Sequence, residues 1–388
     1  MRILFVTGSL VHGGAERHSI TLANRLAERG HECSFAYVKN DPSQLSRLKL
    51  AAESVRCLYA QRYFDLDALL TLRTEILKRK PSVILAANPY ALLYATLGKR
   101  LAASPAPLAV TYHSTKLLNR KEFVQMLAYR PMFWAADRAV FVCEAQRRYW
   151  RARHVFGRTS VVIHNGVDTE HWHPLGAEER RRLRGALGFA PTDYAIGISA
   201  VLRPEKNHLQ LVEAIAMLRR RASARVSSAR ALLIGDGPMR GAVEARAREL
   251  GVAPYVTIAG FQQDVRPFLA ACDVVALTSF TEAFSLAAIE AMALGKPVVH
   301  SDVGGAPEMI RPGRNGFLYP VGDTPALAER LAALADPAAC ERMGARARET
   351  VEAQFSERAM VDRYESMLLE LESKRTQHGN LRRPAGAH

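Results

Sequence analysis

Residues 274–299 read VVALTSFTEAFSLAAIEAMALGKPVV. The apolar run VVALTSF predicts a buried strand, TEAF a loop, and SLAAIEAMAL a helix stopped by Gly295 and Pro297. PVVHSD then opens another strand. Strand, helix and strand in so short a span form the crossover unit of a parallel sheet covered by helices. Ser285 is placed to cap the helix. Glu282 therefore falls in the loop at the sheet's carboxyl edge, and Glu290 about one and a half turns into the helix. Open N–H groups near Phe284, Ser285 and Leu286 offer an anion site. A phosphate bound there would have a carboxylate on either side, each able to accept hydrogen bonds from neutral hydroxyls. A phosphorylated polyol fits that pattern. An acid complementing the helix dipole, with a partly exposed Glu290, fits the same residues.

The alternation extends outward along all of the 388 residues, too many for one ordinary core. RILFVTG, ECSFAYV, SVILAAN, PLAVTYH, RAVFVC and SVVIHNG predict strands in the first half, separated by amphipathic helices. The Asn165-Gly166 turn and Pro174 interrupt the series. It restarts with YAIGISAVL, RALLIGDG, VTIAG, VVALTSF and PVVHSD. The expected fold is α/β, with two doubly wound Rossmann-like domains, 1–170 and 171–355. In such sheets ligands sit at the carboxyl ends of the strands, and two facing domains would make a cleft. A last helix, 356–375, and a disordered tail, 376–388, complete the expectation.

A hydrophobic fraction of 48% and a charged fraction of 23% suit a soluble globular chain. No apolar run approaches a membrane span, and MRILFVTGS is too short to be a signal peptide. The five cysteines are odd in number and scattered, with no zinc-ligand spacing, which points to a reducing, cytoplasmic setting. The net charge of +15 is uneven. Residues 1–175 hold 25 Lys and Arg against 13 Asp and Glu, and the rest hold 28 against 25. The first half thus suits an acidic partner: nucleic acid, anionic lipid or a phosphorylated substrate.

Further motifs sit at strand ends. Arg203 and Lys206, in SAVLRPEKNH, could neutralise a diphosphate and its charge as a leaving group, or form a solvated turn. Gly13 and Gly14, after the first strand, allow close approach of backbone N–H groups to a phosphate or sugar. Gly235, in LLIGDGPMRG, has the wrong spacing for a nicotinamide fingerprint, and a tight turn near a nucleotide suits it better. His113 ends the strand VTYH. Asp65 and Asp67 read as helix caps rather than metal ligands, and His164, His171 and His173 match no common metal spacing. The basic, aromatic stretch from Ser114 to Arg138 suits either an anionic membrane surface or packing on the first domain.

Six motifs occur in one order: GGAE at 13–16, NGVD at 165–168, RPEKN at 203–207, GDGP at 235–238, the Glu282/Glu290 pair, and SDVGGAPE at 301–308. Together they resemble the retaining glycosyltransferases of family 4, the group 1 domain, which have the GT-B fold. The resemblance runs to about residue 370. It implies a nucleotide-sugar donor, a UDP-sugar by preference, bound by domain 171–355 with domain 1–170 on the acceptor side, and with Arg203 and Lys206 on the diphosphate. Glu290 would hold the ribose and Glu282 the transferred sugar. Phe284, Ser285 and Leu286 would touch the phosphate and sugar, while Gly260 and Phe261 approach the base. His113 would lie beside the reacting sugar and Gly14 near the phosphates. The last helix would cross back onto the first domain. Ala283 and Ser285 replace the two glycines of the family's usual Glu-Gly-Phe-Gly loop. No cofactor, metal or nucleic-acid partner is expected. The expected acceptor is a saccharide or lipid-linked saccharide of the bacterial envelope, with the protein cytoplasmic or peripheral on the inner face of the membrane. Alternatives are an enzyme like UDP-N-acetylglucosamine 2-epimerase, which needs further acid/base residues, and a basic nucleic-acid-binding protein.

Overall fold

The computed structural model describes residues 1–11, 13–113 and 120–381, with side chains as far as Lys374. The chain divides into two units, 1–165 with the segment from Met360 onward, and Gly166–Ala359. The division falls at the Asn165-Gly166 turn, a few residues before the expected boundary at 170.

The first unit contains β1 (Arg2–Thr7), α1 (Gly14–Glu28), β2 (Glu32–Tyr37), β3 (Val55–Cys57), α2 (Leu66–Arg79), β4 (Val83–Ala87), α3 (Asn88–Leu101), β5 (Leu108–Tyr112), α4 (Arg120–Ala135), β6 (Arg138–Phe141), α5 (Glu144–Arg151) and β7 (Thr159–Val162). Its seven strands lie in the order β3-β2-β1-β4-β5-β6-β7. Their pairings are parallel. β1, β4 and β5 are almost wholly apolar because helices cover both faces.

The second unit contains α6 (Ala177–Ala186), β8 (Tyr194–Ser199), α7 (His208–Arg219), α8 (Ala224–Ser227), β9 (Ala229–Ile234), α9 (Arg240–Glu249), β10 (Val256–Gly260), α10 (Arg266–Ala271), β11 (Val274–Leu277), α11 (Leu286–Ala293), β12 (Val298–Ser301), α12 (Ala306–Met309), β13 (Gly316–Tyr319), α13 (Thr324–Ala333) and α14 (Pro337–Gln354). Its sheet runs β10-β9-β8-β11-β12-β13, again all parallel. Both sheets therefore reverse direction after their first three strands, the doubly wound arrangement.

The last helix, α15 (Glu357–Leu381), packs on the first unit. Met360, Val361, Tyr364, Met367, Leu368 and Leu371 repeat at helical spacing and bury against Ile3, Ile20, Phe35 and Leu85. α1 and α15 thus cover one face of the first sheet, while α2, α3 and α4 cover the other.

Three features depart from the sequence-based expectation. β3 has only three residues, with Arg56 turned outward, and lacks a legible alternation. β13, GFLY, has only four. The tail expected to be disordered from 376 is helical as far as Leu381. Adding residues to an existing helix costs far less than starting one, and Pro384 is the first strong breaker. Residues 382–388 of that tail lie outside the described residues.

Candidate active site

In the second sheet the strand order turns between β8 and β11, so the loops leaving their carboxyl ends diverge and open a crevice. The β8 loop carries Arg203 and Lys206, and the β11 loop carries Glu282. Backbone contacts lock the two together. The Phe280 N–H donates to the Glu205 carbonyl at 2.8 Å. The Thr278 hydroxyl donates to the Lys206 carbonyl at 2.8 Å.

Across this junction the Lys206 ammonium donates to Glu282 Oε2 at 2.5 Å. The Ser279 hydroxyl approaches the same oxygen at 3.5 Å. Among the described residues Glu282 Oε1 has no partner. An ammonium has three N–H donors, and this bond uses one. The pair is partly buried, with side-chain exposures of 26% for Lys206 and 19% for Glu282, so solvent weakens it less than a surface pair. Each charge thus holds the other in place and keeps hydrogen-bonding capacity toward a ligand.

A third loop fixes the backbone of Glu282. Gly304 has φ +55°, and a Cβ there would stand 1.8 Å from the Glu282 carbonyl oxygen. Only glycine permits that approach. The neighbouring Gly305 N–H donates to the Ala283 carbonyl at 2.7 Å. The Ser301 hydroxyl donates to the Ser279 carbonyl at 2.7 Å. Beside it, buried His300 points Nδ1 at the Ser301 carbonyl, 2.7 Å away, so Nδ1 carries the proton and Nε2 is the acceptor. Burial lowers the His300 pKa, against the opposing pull of the Glu282 charge.

α11 starts as its sequence predicts. The Ser285 hydroxyl accepts from the Ala288 N–H at 3.2 Å, which leaves earlier first-turn donors for a ligand. Ser285, in the place of a glycine, therefore caps the helix. Phe284 packs edge-on against Phe355, with ring centroids 5.3 Å apart, and Leu286 begins the helix. Glu290 is only 5% exposed, not the partly exposed residue of the simpler expectation.

The β9 and β10 loops join the same edge. Gly235 has φ +144°, and a Cβ there would lie 2.1 Å from the Ala200 carbonyl oxygen. Its N–H donates to the Gly260 carbonyl at 2.9 Å. Phe261 follows, 73% exposed. The Arg203 guanidinium stands outside the Lys206–Glu282 contact, 61% exposed and 4.0 Å from Glu205.

Gly13, Gly14 and His113 belong to the first unit. Gly13 caps α1 in an extended conformation, and Gly14 is the helix's first residue. His113 follows the last residue of β5, its N–H donating to Asn88 Oδ1 at 3.1 Å. Its ring meets that of His18 on α1, centroids 4.8 Å apart, and His18 meets Tyr364 of α15 at 5.2 Å. Among the described residues, both ring nitrogens of His18, Nε2 of His113 and the Tyr364 hydroxyl are buried without a hydrogen-bond partner. Desolvation lowers the His113 pKa to about 4 and holds His18 well below its ordinary range. His113 is therefore a neutral imidazole at physiological pH.

Of the two aspartates expected to cap α2, one does so, and Asp67 lies inside the helix's first turn. Asp65 Oδ1 accepts from the Ala68 N–H at 3.1 Å and caps α2. His171 lies beside Arg266, its Nδ1 3.1 Å from a guanidinium nitrogen. Among the described residues no group of three His, Cys, Asp or Glu is arranged to hold a metal ion. Sequence reasoning missed His18, His300, Gly304 and Tyr364. His300 had a legible signal, since it stands near the end of a strand just as His113 does. His18 and Tyr364 had none, because their proximity to His113 depends on tertiary packing.

A histidine whose folded-state pKa is depressed leaves stability intact above its unfolded value, about 6.5. That stability is lost as pH falls, because the unfolded chain binds the proton first. Calorimetry should show the melting temperature falling between pH 6.5 and 4, and His18→Phe should make the fall shallower. An unchanged slope in this variant would contradict a neutral, buried His18.

Comparison with known proteins agrees with this arrangement. The family model for glycosyl transferases group 1 matches residues 179–350, and that for Glycosyltransferase Family 4 matches residues 12–171. Over 207 residues the chain is 34% identical to EpsD of Bacillus subtilis (strain 168), itself provisionally named a glycosyltransferase. That match spans 53% of this chain and about half, 53%, of EpsD. The lipopolysaccharide core biosynthesis glycosyltransferase LpsE of Rhizobium meliloti (strain 1021) is 29% identical over 92% of this chain and 96% of its own. In fold, the chain resembles the crystal structure of Anabaena Alr3699/HepE in complex with UDP. The TM-score is 0.83 with 22% identity, covering 95% of this chain and 100% of that one. The two doubly wound units have the GT-B architecture, and the chain belongs to the group 1, family 4 glycosyltransferases.

Proposed function

We propose that this enzyme transfers a sugar, with retention of anomeric configuration, from a UDP-sugar to an acceptor hydroxyl in bacterial polysaccharide or lipopolysaccharide synthesis. The observation that carries the proposal is the Lys206–Glu282 pair at the strand-order reversal, beside the start of α11. Lys206 turns its remaining donors to the diphosphate, and the first-turn N–H groups of α11 add their partial positive charge. Glu282 Oε1 accepts from a hydroxyl of the transferred sugar. Buried Glu290 takes the ribose, and Gly235, Gly260 and Phe261 border the base. Arg203 lies one turn from Lys206 and swings to the diphosphate when donor binds. In the first unit Gly13 and Gly14 present backbone N–H groups, and His113 donates to or accepts from a sugar hydroxyl as a neutral ring.

In this mechanism no protein nucleophile forms a glycosyl intermediate. The acceptor oxygen approaches the anomeric carbon on the face that the diphosphate leaves. The bond to the diphosphate breaks, and a departing phosphate oxygen takes the acceptor's proton. Lys206, Arg203 and the helix end stabilise the charge that develops on the leaving group, the role that a divalent cation plays elsewhere. The UDP found in the HepE complex and the named role of LpsE support the choice of nucleotide and pathway class.

The reading is tested by transfer from a panel of UDP-sugars, with the product's anomeric configuration read by NMR. Lys206→Ala and Glu282→Ala should each lower kcat by about 10²- to 10³-fold, the usual cost of a lost charge-stabilising contact, with the melting temperature little changed. Near-normal transfer by both variants, or an inverted product, would reject it.

The first unit also presents a surface suited to anionic lipid, where a lipid-linked acceptor would lie. Phe123, Val124 and Leu127 of α4 are exposed, as are Tyr63 and Phe64, and Gln125 joins the two segments by donating to the Tyr63 hydroxyl at 3.1 Å. Arg62, Arg120 and Lys121 supply positive charge around them. Residues 114–119, the start of the basic aromatic stretch, lie outside the described residues. No described helix is long and apolar enough to cross a membrane. The chain should sediment with phosphatidylglycerol vesicles, and Val124→Glu should release it. Equal recovery with neutral vesicles would remove the lipid surface from the proposal.

A further inference from the structure

A second pocket occupies the opposite edge of the second sheet, at the amino ends of its strands. Asp273 immediately precedes β11, and Lys296 stands two residues before β12. With Arg180 of α6, Arg225 of α8, Cys340 and Arg348 of α14, they line a cavity of about 550 Å³. That volume lies within the range of small-molecule sites, about 300–1,000 Å³. None of these residues belongs to the Lys206–Glu282 cluster, which stands at the strands' carboxyl ends.

The charges in this pocket do not balance. Among the described residues Asp273 is the one carboxylate in its interior, and three guanidiniums share it. Arg180 reaches it at 2.7 Å, Arg225 at 3.2 Å and Arg184 at 3.4 Å. The Ala195 N–H donates to the same carboxylate at 2.8 Å. The Lys296 ammonium is a fourth positive charge, with no hydrogen bond or ion pair among the described residues. The adjacent thiols give no compensation, since burial raises Cys272 to about 12 and Cys340 to about 11 and keeps both neutral. Glu341 and Glu349 stand exposed on the rim, where water screens them, and Glu352 is taken by Arg348 at 2.7 Å.

Lys296 is partly buried, and a charge partly withdrawn from water without a partner is costly, so proteins supply a counter-ion or suppress the charge. Burial, reinforced by Arg180 and only partly offset by the Asp273 charge, lowers Lys296 to about 8 from an ordinary 10.5. Arg180 and Arg184 also donate to the Ala270, Ala271 and Cys272 carbonyls, which fixes the cations as a preformed wall.

We propose that this pocket is a second ligand site, separate from the donor site, in which the Lys296 ammonium and the flanking Arg180 and Arg225 bind a phosphate oxyanion. The oxyanion takes the place of the missing counter-ion, and the rest of the cavity accommodates the group that carries it. Phosphate of this kind comes from a free phosphorylated solute or from a phospholipid headgroup. The site is independent of the catalytic reading, because no residue is shared.

The test labels the full chain with an acetylating reagent at pH 7.5 and follows Lys296 by mass spectrometry, with Lys206 as an internal comparison. Three conditions of matched ionic strength are compared: chloride alone, inorganic phosphate, and phosphatidylcholine vesicles containing phosphatidic acid. Phosphate or the vesicles should slow labelling of Lys296 several-fold relative to chloride, and whichever does so identifies the source. Lys296→Met, which keeps the side chain's bulk, should melt above the wild type in chloride, with the gap closing as phosphate is added. Labelling of Lys296 at one rate in all three conditions, or a Lys296→Met variant that melts below the wild type in all of them, would overturn the site.

Discussion

The contact between the Lys206 ammonium and the Glu282 carboxylate is the constraint around which the second unit's carboxyl edge is built. It joins two loops that leave neighbouring strands in diverging directions. Such loops do not hold a fixed separation unless something ties them. The Phe280–Glu205 and Thr278–Lys206 hydrogen bonds tie the backbones, and the ion pair sets the side chains. Gly304 then admits the third loop against the Glu282 carbonyl, at a distance that any Cβ would forbid. The pair is worth less as a source of stability than as a means of position. Partly buried ion pairs repay little beyond their desolvation, but they fix where two charges stand before a ligand arrives.

The first unit depends on a different kind of constraint. His113 is held by apolar and aromatic packing rather than by charge, between His18 of α1 and, through it, Tyr364 of α15. The consequence is an uncharged imidazole whose protonation is suppressed by its surroundings. The helix that closes this cluster is the last in the chain. It enters the first unit's core through the stripe from Met360 to Leu371, so the environment of His113 is complete only after the second unit has been traversed.

Much of this was legible in the sequence where the signal is local. The strand, cap and helix at 274–299 were readable because Ser285 and the stop at Gly295 act on their nearest neighbours. The placement of Gly13, Gly14, Lys206 and Glu282 in loops that follow strands was readable because each apolar strand run ends just before them. What was not legible depends on residues far apart in the chain. Nothing near Gly304 indicates that the Glu282 carbonyl will lie against it. The exposed Arg203 shows the reverse problem, since a cation in a well-placed loop need not turn toward the cluster. β3 escaped because three residues carry too little alternation, and the helical turn beyond 376 because composition argues weakly against propagation of a helix already formed.

If the pair divides the donor, with Lys206 on the diphosphate and Glu282 on the sugar, the two sides are separable by calorimetry. Titrating the wild type, Lys206→Ala and Glu282→Ala with UDP and with the UDP-sugar that supports transfer gives six affinities, which form three differences. Lys206→Ala should weaken both ligands alike and preserve the preference for the sugar-bearing one. Glu282→Ala should leave UDP affinity unchanged and erase that preference. Equal loss of UDP affinity in both variants, with the preference intact, would contradict the account.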